Sequence, residues 1–553
     1  MDVATTLDQT PPRNLRALLF FALVTALFVL LWRNFWLADD AYISFRVVDN
    51  LVEGHGLRFN LDERVQVFTN PLWVLFLIPV HWVARNIFVS SFALTLLVNL
   101  LTWWGALRAF RSSVVAFPLF AVGALTSKAF VDYSSSGLEN PASHAIAVLF
   151  LAHFLTRGAD HHESEKYLVQ SLLLCALAVV DRVDHALLYF VPAAYLLWTQ
   201  RSARTLRLAA VCATPILLWF AFALVYYGFL FPNTAYAKLN IEWTLEEKLY
   251  HGYLYWASLI HTDPFTFVVI LLGLFSAAIA HGARYRAVGV SLLLYLSYMT
   301  TVGGDHMMGR FFSTPFVISL FLTVRFFSEQ VWPALAARGV SALVPIGCSA
   351  GIASIFLLMS PVSVLTAPVR YPYQRGAWIG VNDIMDEKAV WFARSSPSLH
   401  RMSTYYAGFD RFVFDENLAR EVQTFRETGR KAHVVDALGY IPYYAGSQLH
   451  FVDEFGLTDA LIARIPSNYK HFNHFKRSIP AGYMETIERG ENVIQDGNLR
   501  DYYERLSLVI RGPLLSRQRL ETIVSFGLGG YDPLLDAYLA EASSGDATNP
   551  SRG

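Results

Sequence analysis

The apolar positions of the chain gather into eleven runs, at 15–32, 87–107, 113–131, 141–156, 167–180, 185–200, 208–230, 264–281, 287–302, 311–327 and 340–360. Runs of this kind predict membrane-spanning helices, which need roughly 20 apolar residues. Several are shorter, as a helix buried among other helices tolerates. A further run, Pro71–Val83, is too short to cross and predicts an interfacial or re-entrant helix on the outer side. After Ser360 the pattern changes. No spanning run follows, and short apolar stretches alternate with turns. His433–Asp436, running into Ala437-Leu438-Gly439-Tyr440, predicts a strand and a turn, and Leu449–Asp453 predicts a second strand. The fold class expected is therefore a polytopic α-helical membrane protein with a C-terminal soluble α/β domain. The boundaries are 1–360 for the membrane region, with a first outer loop at 33–86, and 361–553 for the soluble region. The end, Ala542–Gly553, is small and polar and reads as a fraying tail.

Basic residues orient this arrangement. Arg108 with Arg111, Arg157 with Lys166, the group Arg201, Arg204 and Arg207, Arg284 with Arg286, and Arg325 with Arg338 mark inner loops. They agree with one another only if Pro71–Val83 does not cross. The polar start, Met1–Arg16, then lies inside, ahead of an uncleaved first span. Eleven spans place the C-terminal domain of this multi-pass protein outside the cytoplasm.

Composition strengthens the membrane reading: 54% of residues are hydrophobic, 16% charged, and the mean hydropathy is +0.37. The 44 basic residues balance the 44 acidic ones, which gives no ground for a nucleic-acid partner. Cys175, Cys212 and Cys348 lie in apolar runs and read as small core side chains. No internal repeat of the transporter kind is visible.

The outer ends of the runs carry the chemistry. They hold Asp39-Asp40, Asp132 and Glu139, Asp181-Arg182-Val183-Asp184-His185, Asn233 and Lys238, and Gly303-Gly304-Asp305-His306 with Arg310. Acids and bases thus converge at headgroup depth, where an acidic pair invites a functional account. The pattern suits transfer of a sugar from a lipid phosphate. A carboxylate, Asp40 or Asp39, removes the proton of the acceptor hydroxyl. Arg310, Lys238 and Arg182 are the candidates to hold the phosphate. Glu139, Asn233, Asp305 and His306 are candidate substrate contacts, and Gly303-Gly304 would let a ligand approach the backbone. Each has a plainer reading. Asp39 and Asp40 could cap a helix, Arg182 could brace its acidic neighbours, and Asn233 could end a helix. No cofactor is certain. A divalent cation (Mg, Mn or Ca) on Asp39, Asp40 and Asp305 is the one candidate.

The stretches Asp39-Asp40-Ala41-Tyr42-Ile43-Ser44-Phe45-Arg46, Asn50–Asn60, Glu63-Arg64-Val65 and Thr69-Asn70-Pro71-Leu72-Trp73 resemble the first outer loop of bacterial GT-C membrane glycosyltransferases, in particular the terminal β-(1→2)-arabinofuranosyltransferase family. Gly137-Leu138-Glu139, Arg182-Val183-Asp184, Pro232-Asn233-Thr234 with Lys238, Gly303-Gly304-Asp305 with Arg310, Asp436 with Gly439, and Asp453 to Asp459 are similar to later motifs of that family. The resemblance runs from about residue 36 to about 485. It implies a GT-C fold, a catalytic aspartate in the first outer loop and a polyprenyl-phosphate-linked sugar donor, which is an arabinose donor in the relatives. It also implies a glycan or glycoprotein acceptor outside the cytoplasm. Two rivals remain. One is a polyprenyl-phosphate-dependent transferase acting on a protein such as a pilin. The other, a transporter or flippase of lipid-linked sugar, should carry its charges near the bilayer midplane rather than at one face.

Overall fold

The computed structural model describes residues 13–155, 165–360, 384–396, 416–467, 469 and 475–546. Its helices in the membrane region are α1 (Arg13–Asn34), α2 (Asp39–Val52), α3 (Pro71–Ala84), α4 (Ile87–Ala109), α5 (Ala116–Thr126), α6 (Lys128–Tyr133), α7 (Asn140–Phe154), α8 (Glu165–Asp181) and α9 (Ala186–Thr199). They continue as α10 (Ala203–Cys212), α11 (Thr214–Tyr226), α12 (Asn233–Leu239), α13 (Leu245–Thr262), α14 (Pro264–Ile279), α15 (Ala283–Thr301), α16 (Ser313–Phe326), α17 (Trp332–Ala337) and α18 (Leu343–Met359).

Local chemistry explains the breaks. The run expected at 113–131 divides at Ser127, whose hydroxyl accepts from Phe130 N and starts α6. The run at 208–230 is the pair α10 and α11, bent by 46°. Residues 245–262, which hydropathy leaves in an outer loop, form α13. A capping box of Thr244 and Glu247 begins it, and it meets α14 at 112°. Among the described residues α4 alone is long and apolar enough to cross a bilayer, or up to three elements if each bent pair is one span, by length and composition. Pro71–Val83 is helical as α3, with Pro71 at its start and Pro79 inside.

Both strands expected in the C-terminal region form. Ala432–Val434 (β1) and His450–Val452 (β2) pair in parallel, with Ala432 opposite His450. The sheet has these two strands among the described residues, and helices surround it. One apolar core joins Phe35–Val48 and Phe59–Leu77 of the N-terminal part to residues between Ala389 and Ile523, and a second lies mainly among the helices α4 to α16. Arg46, 2% exposed, ties the first core together. Its guanidinium donates to the carbonyls of Phe59 (2.8 Å), Gly446 (3.0 Å), Leu449 (2.8 Å) and Pro442, and lies 4.9 Å from the Phe59 ring. A buried cation satisfied by four carbonyls ties the segment around α2 to the C-terminal region, because each lost partner would strand a buried donor.

Candidate functional site

The site grows from the N-terminus of α2. Ala38 is extended (φ −68°, ψ 152°), so α2 starts with Asp39 and Asp40 in its first turn, where the helix dipole favours negative charge. Consecutive side chains on a helix point about 100° apart, and these two have different partners. Asp39 accepts from the backbone N–H groups of Gly439 (3.1 Å) and Tyr440 (2.8 Å). Asp40, whose side chain is 34% exposed, faces Nη1 of Arg310 at 3.3 Å.

Arg310 is the hub. Its Nη2 lies 3.2 Å from Oε1 of Glu139, and its Nη1 is 3.9 Å from Asp305. Glu139 is fully buried, and the same Oε1 accepts from Arg182 at 2.7 Å while Oε2 accepts from Asn70 at 3.0 Å. One carboxylate thus bridges two guanidinium groups. Burial alone would raise the Glu139 carboxyl, but Arg310 and Arg182 outweigh it and hold it at about 2. Arg182 also makes a forked pair with Asp184 (3.0 and 2.8 Å) and lies 4.8 Å from the Phe311 ring. Asp181 turns away to Ser143 Oγ at 2.6 Å.

The loop after α15 carries Asp305 and His306. Asp305 is 2% exposed, and its Oδ1 lies 3.0 Å from Nδ1 of His306. Burial would raise Asp305, yet the His306 contact and the Arg310 charge keep it far below the usual carboxylate range. Burial would lower His306; Asp305 first, then Glu387 and Asp40, raise it instead. Gly304, at φ 75°, is pressed against Tyr255, whose ring would meet a Cβ there at 2.5 Å. The Gly303-Gly304 turn therefore accommodates Tyr255, and the open backbone face expected for a ligand is taken by that ring.

The remaining candidates lie further out. Lys238 is exposed at the end of α12 and reaches Asp305 through its charge. Asn233 is buried, and its amide donates to the carbonyls of Gly456 (2.7 Å), Leu457 (3.3 Å) and Asp459 (2.9 Å), so it anchors that C-terminal loop. Asp39, Asp40 and Asp305 do not converge on one point: Asp39 binds the Gly439–Tyr440 turn, Asp40 faces Arg310, and Asp305 pairs with His306 and more distantly with the same Arg310; among the described residues no group of three or more His, Cys, Asp or Glu could hold a metal ion. These residues do not fit a divalent cation. In the C-terminal region Tyr443 and Tyr444 are buried against Tyr42, and Trp391 stacks on Tyr440 at 5.6 Å.

Sequence reasoning missed Asp386-Glu387-Lys388. Asp386 caps the helix Glu387–Ser395 through Ala389 N. Backbone hydrogen bonds from Met308 N to Met385 O (2.9 Å) and from Met385 N to His306 O (2.7 Å) join this segment to the Asp305 loop. Lys388, 1% exposed, pairs with Asp132 at 2.7 Å, and Asp132 also pairs with Lys128. Glu387, 5% exposed, lies 3.8 Å from Nε2 of His306. Burial pushes its carboxyl up to about 7; His306 opposes the rise, and Asp40 and Asp39 add to it. Three consecutive charges before an apolar stretch were the one signal in the sequence, and they look like any exposed helix start.

No family model matches the chain. It is 29% identical over 235 residues, 39% of this chain and 37% of the relative, to the terminal β-(1→2)-arabinofuranosyltransferase of Mycobacterium tuberculosis. It is 26% identical over 321 residues, 51% of this chain and 47% of the relative, to the protein of the same name from Corynebacterium glutamicum. The resemblance read from the sequence is thus present in the comparison, and the chain spans half or less of the length of these curated relatives. Among solved structures it is similar to ArnT from Cupriavidus metallidurans bound to undecaprenyl phosphate, with 13% identity, 82% of this chain and 78% of that chain covered, and a TM-score of 0.43. A likeness of that size carries no weight for function.

Proposed function

We propose that this chain is a glycosyltransferase of the bacterial inner membrane, moving a sugar from a polyprenyl-phosphate donor to a glycan acceptor on the extracytoplasmic face. The observation that carries the reading is Arg310 held between Asp40 and the buried Glu139. The names of the curated relatives support arabinofuranose as the sugar.

The geometry supports a sequence of events. Glu139 is shared by two guanidinium groups, so Arg310 is only partly neutralised by it, and its other amino group rests on the half-exposed Asp40. A donor phosphate is a stronger, forked partner for a guanidinium than one carboxylate oxygen at 3.3 Å. It therefore takes Arg310 from Asp40. That exchange frees Asp40 for the acceptor hydroxyl and places positive charge on the phosphate oxygen where negative charge develops. Asp40 accepts the hydroxyl proton, the acceptor oxygen bonds to the anomeric carbon, and the sugar–phosphate bond breaks with its electron pair left on phosphate. Lys238, exposed beside this entrance, meets the phosphate on arrival.

The test is a transfer assay on purified protein with synthetic polyprenyl-phospho-sugars of several types, with glycan and peptide acceptors. Transfer of arabinofuranose to a glycan is expected. Transfer to peptide alone would favour a protein acceptor, and no transfer from any donor would end the reading. A C-terminal alkaline phosphatase fusion should be active, because the mechanism needs the C-terminal region on the outer face.

A further inference from the structure

The C-terminal region places a carboxyl group in the site that the transfer chemistry above does not use. Glu387 comes from a segment joined by two backbone hydrogen bonds to the loop that bears Asp305, His306 and Arg310. His306 stands between two acids: Nδ1 faces Asp305 at 3.0 Å and Nε2 faces Glu387 at 3.8 Å. Asp305 is buried and fixes the ring, so the second nitrogen is directed at Glu387.

We propose that Glu387 is a positioning residue of the transfer step, taking over with His306 the proton that Asp40 removes from the acceptor hydroxyl. This rests on the proposed transferase reading. An acceptor sugar seated on Asp40 covers the third of that side chain now open to water. Asp40 lies within electrostatic range of both His306 and Glu387. The proton passes from the acceptor oxygen to Asp40, then to the Glu387–His306 pair, and returns to water when product leaves. No electron is gained or lost. A buried carboxyl held at about 7 suits this task, since it both takes and gives up a proton near neutral pH. The charged and titratable groups around it are Asp39 and Asp40 of α2, Tyr133 of α6, and Asp305, His306 and Arg310 of the loop. Trp391, on its own helix, donates a hydrogen bond to it.

The test has two arms on the full chain. Infrared difference spectra between pH 5.5 and 8.5 need no substrate. A protonated-carboxyl band titrating near 7 is expected in the wild type and lost in Glu387→Gln. Persistence of that band in the variant, or its absence from the wild type, overturns the inference. In the second arm, turnover is followed against pH with a synthetic polyprenyl-phospho-arabinose. The wild-type rate should rise through about pH 7, because Glu387 must be ionised to accept the proton. Glu387→Gln should lose that rise and about 10- to 100-fold of kcat, with the donor KM unchanged, and Glu387→Asp should restore the rise. An unchanged profile in Glu387→Gln overturns the inference. If Glu387→Gln does not fold, His306→Gln takes its place and should move the band and flatten the profile. Wild-type protein inactive with every donor defeats the transferase reading, and the band then decides Glu387 alone.

Discussion

The Asp39 carboxylate is bound to the backbone N–H of Tyr440 at 2.8 Å, across 401 positions of chain. With Gly439 N at 3.1 Å it gives the turn before the helix Tyr440–Ala445 its anionic partner. Asp40, one residue on, is left to Arg310. Two neighbouring acids that look interchangeable in the sequence are therefore divided between holding the C-terminal region and facing the open side of the site.

That division predicts different phenotypes. Asp40→Asn should lower turnover by roughly two to four orders of magnitude, the usual worth of a general base, with an unchanged melting temperature in detergent. Asp39→Ala should cost about 1–3 kcal/mol of stability, since two buried N–H groups lose their acceptor. Asp39→Asn, which keeps an accepting oxygen, should cost less. Equal turnover in Asp40→Asn and wild type would remove Asp40 from the chemistry.

Glu139 should prove to be an electrostatic keystone. Glu139→Gln leaves Arg182 and Arg310 in a buried site with one fewer negative charge, and breaking such a pairing costs about 3–5 kcal/mol. Its carboxyl lies at about 2 in the fold against an ordinary 4.5. The folded-state value is depressed, so its contribution is fully present above 4.5 and declines as pH falls toward 2. Thermal melts between pH 3 and 7 should show the wild type losing stability in acid more steeply than Glu139→Gln. Parallel curves would contradict the role.

The close approach of the C-terminal turn to α2 offers a second structural probe. A Cβ at Gly439 would overlap the carbonyl of Asp39, which is backbone and cannot turn aside. Gly439→Ala should separate the turn from α2, weaken both hydrogen bonds to Asp39 and expose residues 432–452 to limited proteolysis. Because Glu387 and Asp39 lie at the same junction, turnover should fall as well. A variant with wild-type protease resistance would show that the turn yields without loss.

The order of apolar runs made the helical region readable, and the alternation around His433 and Leu449 made both strands readable, because both signals are local. Runs such as 208–230 could not reveal their bends, which depend on a residue or two at each break. Asp39, Asp40, Arg182 and Arg310 stood out because charge at the ends of apolar runs is costly, and the structure gathers Asp40, Arg182 and Arg310 around Glu139 while Asp39 goes to the C-terminal turn. Asn233 stood out by its place at the end of an apolar run, yet its amide is used by carbonyls 223 to 226 positions away, a pairing no local pattern announces. Glu387 was invisible because an acid at a capped helix start is the ordinary case. Its burial follows only from the joining of residues 385 and 307 across the two regions of the chain.

Arg310 decides between phosphate binding and plain bracing. Its two amino groups point to different acids, Asp40 at 3.3 Å and Glu139 at 3.2 Å, and its Nε is buried without a hydrogen-bond partner. An arriving phosphate offers oxygens to that nitrogen as well as to the amino group now on Asp40. Lysine keeps the charge but presents a single point, so it cannot reach Glu139 and a phosphate together. Arg310→Lys should therefore raise the donor KM by roughly 5- to 150-fold, the equivalent of about 1–3 kcal/mol for one charge-assisted hydrogen bond, measured with acceptor saturating. Arg310→Ala should also lower stability, because Glu139 then keeps only Arg182. If both variants lost stability while the donor dependence stayed as in the wild type, Arg310 would be a brace between Asp40 and Glu139, and the phosphate would have to be met by Lys238 at the entrance.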